Sequence, residues 1–224
     1  AGGLGTRLRA EVPGLPKPLA PVNGRPFLDI LFRQLAASGL VRRVVLAAGY
    51  KARDVAAAYG PENFGLETVV SAEPEPLGTG GAVRLALPLT GGPQVLVMNG
   101  DSYAELDLAA FAAFHAARGA AFTLALRRVP DAGRYGRVAA GPGGEVRSFE
   151  EKRPGSGEGL VNAGVYLASR AALAALPEGR SSLERDLLPG LCGRGLYGFE
   201  TSGKFIDIGL PETYRAAGEY LKGT

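Results

Sequence analysis

Short apolar runs alternate with segments of helical periodicity from Pro26 to Arg118, and this alternation constrains the chain more than any other feature. Strands separated by helices cannot join as hairpins; they must cross over. The expected class is therefore α/β, with three layers: a mostly parallel sheet carrying helices on both faces. Pro26 to Ser38 reads as a helix, with Phe27, Ile30, Leu31 and Leu35 at helical spacing, a proline near its first turn and Gly39 past its end. A buried strand at Val44 to Ala48, a short helix at Lys51 to Tyr59, a strand at Glu67 to Ser71 and a helix at Thr79 to Leu87 follow. Val95 to Met98 is a further apolar strand, ending in Asn99-Gly100-Asp101, and Asp107 caps an Ala-rich helix that runs to Arg118.

After Arg118 the pattern changes. Phe122 to Arg128, Arg137 to Ala140, Glu145 to Glu150 and Leu160 to Leu167 read as strands set off by Gly- and Pro-rich turns, a small β-rich elaboration. Helices near Ser169 to Leu176 and Ser182 to Leu191, strands near Leu196 to Glu200 and Lys204 to Ile208, and a helix opened by Pro211 complete the chain. With 224 residues and no long linker, one domain is expected.

Several classes are excluded on composition. The net charge of +3 comes from cations scattered along the chain, whereas nucleic-acid binding needs them clustered. The longest stretch without Asp, Glu, Lys or Arg, Leu85 to Gly100, is broken by Pro88, Gly91, Gly92 and Pro93, so no bilayer span is expected. No signal-peptide pattern opens the sequence, and a cytoplasmic location is the default expectation. Cys192 is the sole cysteine, so no internal disulfide forms.

The chemistry concentrates in the first eighteen residues. Gly2, Gly3 and Gly5 allow close approach of backbone to a phosphate, and Arg7 and Lys17 add positive charge to the same loop. A dinucleotide fingerprint would need glycine where Leu8 stands, and a P-loop would need Gly-Lys-Ser/Thr, which is absent. Joined to Thr6-Arg7 and Pro16-Lys17-Pro18, the glycine loop resembles the sugar-1-phosphate nucleotidyltransferase family, whose signature is G-G-x-G-T-R-L followed by P-K-P. The likeness continues through Glu73-Pro-Glu-Pro-Leu-Gly-Thr-Gly-Gly-Ala82, Asn99-Gly-Asp101, Gly133-Arg-Tyr-Gly136, Phe149-Glu-Glu-Lys152, Val161-Asn-Ala-Gly-Val-Tyr166 and Phe205-Ile-Asp-Ile-Gly-Leu-Pro211. The segments Pro16 to Phe27 and Ser182 to Asp186 are most similar to the guanylyltransferase branch that activates a heptose 1-phosphate. The family also places a strand ahead of its first Gly-Gly pair, of which only Ala1 is present in this sequence.

The resemblance implies an in-line displacement in which a sugar 1-phosphate attacks the α-phosphorus of a nucleoside triphosphate and pyrophosphate leaves. Such chemistry asks mainly for positioning and charge neutralisation. It implies catalytic roles for Arg7 and Lys17, and nucleotide contacts from Gly2, Gly3, Gly5, Thr6, Glu73, Gly78 and Thr79. It implies sugar-phosphate contacts from Gly136, Glu151, Lys152, Asn162 and Gly164, and a magnesium site at Asp101 and Asp207. The nucleotide-binding part would span residues 1 to about 118, and the sugar-binding, metal-completing part the remainder. Each aspartate follows an apolar strand, so both carboxylates are expected at the carboxyl edge of the sheet, where α/β folds bind ligands. Glu73 stands where the uridylyl and thymidylyl branches carry glutamine. A carboxylate can take up guanine's adjacent N1–H and N2–H donors, so GTP is favoured.

His115 is expected on a helix surface without a catalytic role, and Cys192, Phe111, Phe114 and Phe122 read as packing residues. Mannose-1-phosphate guanylyltransfer and uridylyltransfer stay open as alternatives, as does a non-catalytic nucleotide-sugar-binding module. A glycosyltransferase would be expected to carry Asp-x-Asp, which the chain lacks, and a molybdopterin nucleotidyltransferase a different lysine motif after the glycines.

Overall fold

The computed structural model describes Leu8 and residues 11–149, 155 and 157–224. The Pro16-Lys17-Pro18 motif lies on a single 3-10 turn, Lys17–Leu19, followed by a hairpin of β1 (Pro21–Val22) and β2 (Arg25–Pro26). Asn23 and Gly24 both take positive φ there, the geometry of a tight two-residue hairpin turn. Helix α1 (Phe27–Ala37) buries Phe27, Leu28, Leu31, Phe32 and Leu35 on one face, and Gly39, at φ +66, follows its end.

Next come β3 (Arg43–Ala48), α2 (Ala52–Ala58), β4 (Glu62–Asn63), β5 (Leu66–Ala72), α3 (Gly78–Ala86), β6 (Gln94–Met98) and β7 (Ser102–Ala104). Helix α4 (Leu108–Ala117) is capped by Asp107, whose carboxylate accepts from the amides of Ala109 and Ala110 at 2.9 Å. The remaining elements are β8 (Phe122–Val129), β9 (Val138–Ala140), β10 (Val146–Phe149), β11 (Gly159–Ser169), α5 (Arg170–Ala174), a π-helical turn at Leu183–Leu187, α6 (Leu188–Leu191), β12 (Leu196–Thr201), β13 (Phe205–Asp207) and α7 (Pro211–Tyr220).

The expected three-layer plan is present, but the sheets are mixed rather than mostly parallel. One runs β12-β8-β11-β6, in which β12 is parallel to β8 and β11 is antiparallel to both of its neighbours; the other runs β3-β5-β4, with β3 and β5 parallel. Antiparallel pairing arises because β11 enters from the β-rich elaboration and not from a helical crossover, which frees its direction. Alternation along β8 and β11 sends Leu124, Leu126 and Tyr166 into one core, with Leu173, Leu183 and Leu188, and Ala125, Val165 and Leu167 into the other, with α1 and Phe111. Both faces of the four-stranded sheet are thus covered.

The inner edges of β3 and β6 pair with no other strand among the described residues. Every residue from 43 to 47 and from 94 to 98 lines one cavity of about 1220 Å³. Successive strand residues point to opposite faces, so lining by each in turn means that the cavity runs along the strand edges. Helices α1, α3 and α4 wall it, and it opens onto the polar residues described next.

Candidate active site

Pro18 and Leu19 are buried beside Lys17 and anchor the turn that presents its ammonium group. Lys17 Nζ donates to Asp101 Oδ2 at 2.8 Å, with side chains only 18% and 31% exposed. Asp101 sits in the turn between β6 and β7, and β13 lies antiparallel to β7 with Asp207 opposite Ser102. The Ile208 amide donates to the Asp101 carbonyl at 2.9 Å, which draws the two aspartates to one place although 106 positions separate them. The strand ahead of Asp101 and the strand that ends at Asp207 thus open on one cleft, joined through the short β7 rather than by direct pairing with β6.

Gly209 closes this cluster. Its amide donates to Asp207 Oδ1 at 2.6 Å, and a Cβ there would lie 2.7 Å from that oxygen and 3.3 Å from Lys17 Nζ. Any side chain would intrude where the lysine and the carboxylate approach each other. Sequence reasoning assigned Gly209 no role, although it lies inside the Ile-Asp-Ile-Gly run.

Glu73 follows β5 directly and lines the same cavity as Lys17, Thr79, Asp101 and Asp207. Its Oε2 accepts the Leu77 amide at 3.0 Å, while Oε1 is buried with no hydrogen-bond partner among the described residues. An acceptor in that condition costs free energy unless a donor arrives, so the position is built for one.

The glycines after Glu73 have a steric reason to be glycines. A Cβ on Gly78, itself at φ +73, would sit 2.5 Å from the Ser181 carbonyl, one on Gly80 would be 2.6 Å from Ser181 Oγ, and one on Gly81 would strike the Gly179 carbonyl. The Gly80 amide donates to the Ser181 carbonyl at 2.9 Å. The first turn of α3 is therefore docked against the 179–184 segment. Thr79 Oγ1 takes part as well, donating to Glu184 Oε2 at 2.8 Å and accepting from the Leu183 amide at 2.9 Å.

Along β11, Asn162 Oδ1 accepts the Gly164 amide at 2.9 Å, and its Nδ2 donates to the Tyr166 hydroxyl at 2.8 Å. Gly164 has φ +77 where the β11 register shifts, and a Cβ there would meet Asn99 Nδ2 at 2.7 Å. Its carbonyl accepts the Asn99 amide at 2.8 Å, tying β11 to the Asn99-Gly100-Asp101 turn. Gly136, at φ +86, donates to the Ala132 carbonyl and follows Tyr135, whose ring lines the cavity and packs on Phe205. Gly2, Gly3, Gly5, Thr6, Arg7, Glu151 and Lys152 lie outside the described residues.

The expected surface position of His115 is overturned. Its imidazole is 1% exposed and bonds Thr123 Oγ1 through Nδ1 at 2.8 Å, because α4 lies against β8 and turns this face inward. Burial holds its pKa below the ordinary value. No helix among the described residues is long and apolar enough to cross a membrane, and none of them form a group of three or more His, Cys, Asp or Glu suited to a metal.

Comparison with known proteins places the chain in a family. A family model described as nucleotidyl transferase matches residues 1–222. The chain is 39% identical to a D-glycero-alpha-D-manno-heptose 1-phosphate guanylyltransferase of Aneurinibacillus thermoaerophilus, covering 99% of this chain and 96% of that protein. It is 34% identical to a mannose-1-phosphate guanylyltransferase of Mycobacterium tuberculosis over 99% of this chain and 63% of the longer relative. Among solved structures, HddC from Yersinia pseudotuberculosis complexed with GMP-PN superposes with a TM-score of 0.85 at 34% identity, covering 99% and 97% of the two chains.

Proposed function

The chain belongs to the nucleotidyl transferase family, and from that premise we propose that it transfers a guanylyl group from GTP to a sugar 1-phosphate, giving a GDP-sugar and pyrophosphate. The observation that carries this reading is a single cavity lined by two unlike groups: Lys17 with Asp101 and Asp207, and Glu73, whose buried Oε1 has no partner among the described residues. A triphosphate needs the first group and a base with outward N–H donors needs the second. Guanine's N1–H and N2–H suit Glu73, one donor going to Oε1 and the other sharing Oε2 with the Leu77 amide. Uracil, with one N–H between two carbonyls, would set carbonyl oxygens against the carboxylate.

The displacement forms a bond from a phosphate oxygen of the sugar 1-phosphate to the α-phosphorus and breaks the bond to the departing pyrophosphate. Lys17 neutralises charge on the phosphates through a charge-assisted hydrogen bond, exchanging Asp101 for a phosphate oxygen. Arg7 and Lys152 would add to this charge, and Gly136, Glu151, Asn162 and Gly164 would face the sugar ring. Asp101 and Asp207 offer two carboxylates beside the phosphate path, a hard oxygen donor set that fits magnesium. When bound, the ion supplies positive charge to the phosphate oxygens.

A heptose 1-phosphate is favoured as acceptor by the near full-length relative, and mannose 1-phosphate is the second reading, supported by the mannose-1-phosphate guanylyltransferase likeness. The test is a panel of nucleoside triphosphates against sugar 1-phosphates scored by pyrophosphate release. GTP with D-glycero-α-D-manno-heptose 1-phosphate should turn over fastest. Equal rates with UTP, or no pyrophosphate from any pair, would overturn the assignment.

A further inference from the structure

The 182–187 segment carries a carboxylate that the proposed chemistry does not use. We propose that Glu184 is a positioning residue that ties the first turn of α3, just beyond the Glu73 loop, to Asn162 on β11; this rests on the guanylyl-transfer reading for the base-reading and sugar-facing roles of those two places. Glu184 accepts hydroxyl donors on both oxygens. Oε2 takes Thr79 at 2.8 Å and Ser182 at 2.9 Å, and Oε1 takes Tyr166 at 3.0 Å. Thr79 stands in the first turn of α3, just beyond the loop that holds Glu73, while Tyr166 is wholly buried and receives the Asn162 amide. One carboxylate therefore touches, at one remove, both the base-reading loop and the side chain assigned to the sugar.

The directions of these bonds make the charge matter. A carboxylate only accepts, so the Tyr166 hydroxyl must donate to Glu184 and accept from Asn162 Nδ2. That leaves Asn162 Oδ1 for the Gly164 amide, as observed. Put a glutamine at 184 with its NH2 toward Tyr166, and the tyrosine must donate to Asn162 instead. Asn162 then turns its own NH2 toward the Gly164 N–H, donor against donor. Turned the other way, the glutamine NH2 meets the Thr79 and Ser182 hydroxyls, and Thr79 already accepts from the Leu183 amide. An uncharged isostere thus disturbs the Asn162 side or the Thr79 side.

Local structure fixes Glu184 for this task. The Ser182 hydroxyl caps the π-helical turn by accepting the Arg185 amide, and the Ser182 amide donates to Asp186 Oδ2 at 2.7 Å. Leu183 and Leu188, fully buried on either side, hold the turn against the sheet. Single-turn π segments commonly accompany functional positions, since the extra residue re-aims a side chain.

The experiment compares Glu184→Gln and Tyr166→Phe with the unaltered protein by steady-state pyrophosphate release, thermal melting and the side-chain amide NMR signals of Asn162. Tyr166→Phe removes the hydroxyl that joins Glu184 to Asn162 and leaves the Thr79 and Ser182 bonds in place, so KM for the sugar 1-phosphate should rise about tenfold with KM for GTP within twofold. Glu184→Gln should raise the KM of at least one substrate by a similar factor, and the double variant should be no worse toward the sugar than the worse single variant. In both singles the Asn162 amide signals should shift without substrate present. Unchanged KM values together with unmoved Asn162 signals, even with lowered melting, would leave only a structural role and overturn the proposal. An inactive unaltered protein whose Asn162 signals still respond to Glu184→Gln would instead defeat the guanylyl-transfer reading and leave the tie intact.

Discussion

The two sheets of this molecule treat similar residues differently. In β8 and β11 the runs Phe122 to Leu126 and Ala163 to Ala168 are buried on both faces, one face against α5 and the turn at Leu183, the other against α1 and α4. In β6 the equally apolar Val95 to Met98 are half-buried, as are Val44, Val45 and Ala47 of β3, because one edge of each strand has no strand partner among the described residues. Burial follows what each strand packs against: β8 and β11 are covered on both faces, whereas β3 and β6 share with Lys17, Glu73 and Asp101 the lining of one cavity. Equal truncations should therefore have unequal costs in the two regions.

The largest expected effect is in the buried region. Leu124→Ala removes a fully buried side chain and should cost about 3–4 kcal/mol of stability, read as a lowered denaturation midpoint with unchanged m-value. A loss below about 1 kcal/mol would show that β8 does not anchor the core. Next comes Lys17→Ala in the cavity lining. It should slow turnover by about 100- to 1000-fold, or 2–4 kcal/mol of transition-state stabilisation, while melting stays nearly unchanged because its partner Asp101 reaches solvent. Near-normal pyrophosphate release would remove Lys17 from the chemistry.

Glu73→Gln should lower the preference for GTP over UTP by about ten- to a hundredfold, or 1–3 kcal/mol, measured as the ratio of kcat/KM values. An unchanged ratio would place base selection elsewhere. Val97→Ala, at the half-buried cavity border, should cost about 1 kcal/mol or less in the same denaturation assay, well under Leu124→Ala. A cost equal to that of Leu124→Ala would erase the contrast between the regions.

The smallest effect concerns pH. Burial depresses the His115 pKa below its ordinary 6.5, so the unfolded chain takes up the proton first as pH falls. Its contribution to stability is complete above the unfolded value and is lost as pH drops below it. Replacing His115 with glutamine should flatten the slope of melting temperature between about pH 7 and pH 5.5; an unaltered slope would mean that this imidazole is not held neutral.

Much of the secondary structure was legible because it is local. The apolar spacing from Phe27 to Leu35 and the Asp107 cap depend on neighbours within one or two helical turns, and they fold as read. The Asn23-Gly24 hairpin carried its own turn signal but went unread, since its strands are two residues long. The short β7 was missed for a similar reason: three residues give no periodicity to count. The residue types around the site were also visible in sequence, because a phosphate loop, a lysine between prolines and two aspartates after apolar strands are patterns of composition and spacing.

What the sequence by itself determined was the family, the α/β class and the residue types at the cleft, each of which rests on nearest-neighbour pattern. Only the tertiary structure decided that Asp207 meets Asp101 through β7, that Gly209 must lack a side chain beside Lys17, that His115 faces Thr123 inside the core, and that Glu184 joins Thr79 to Tyr166. These are contacts between segments far apart in the chain, and a side chain's partner across such a distance is set by how strands pair and helices dock, which no local pattern encodes.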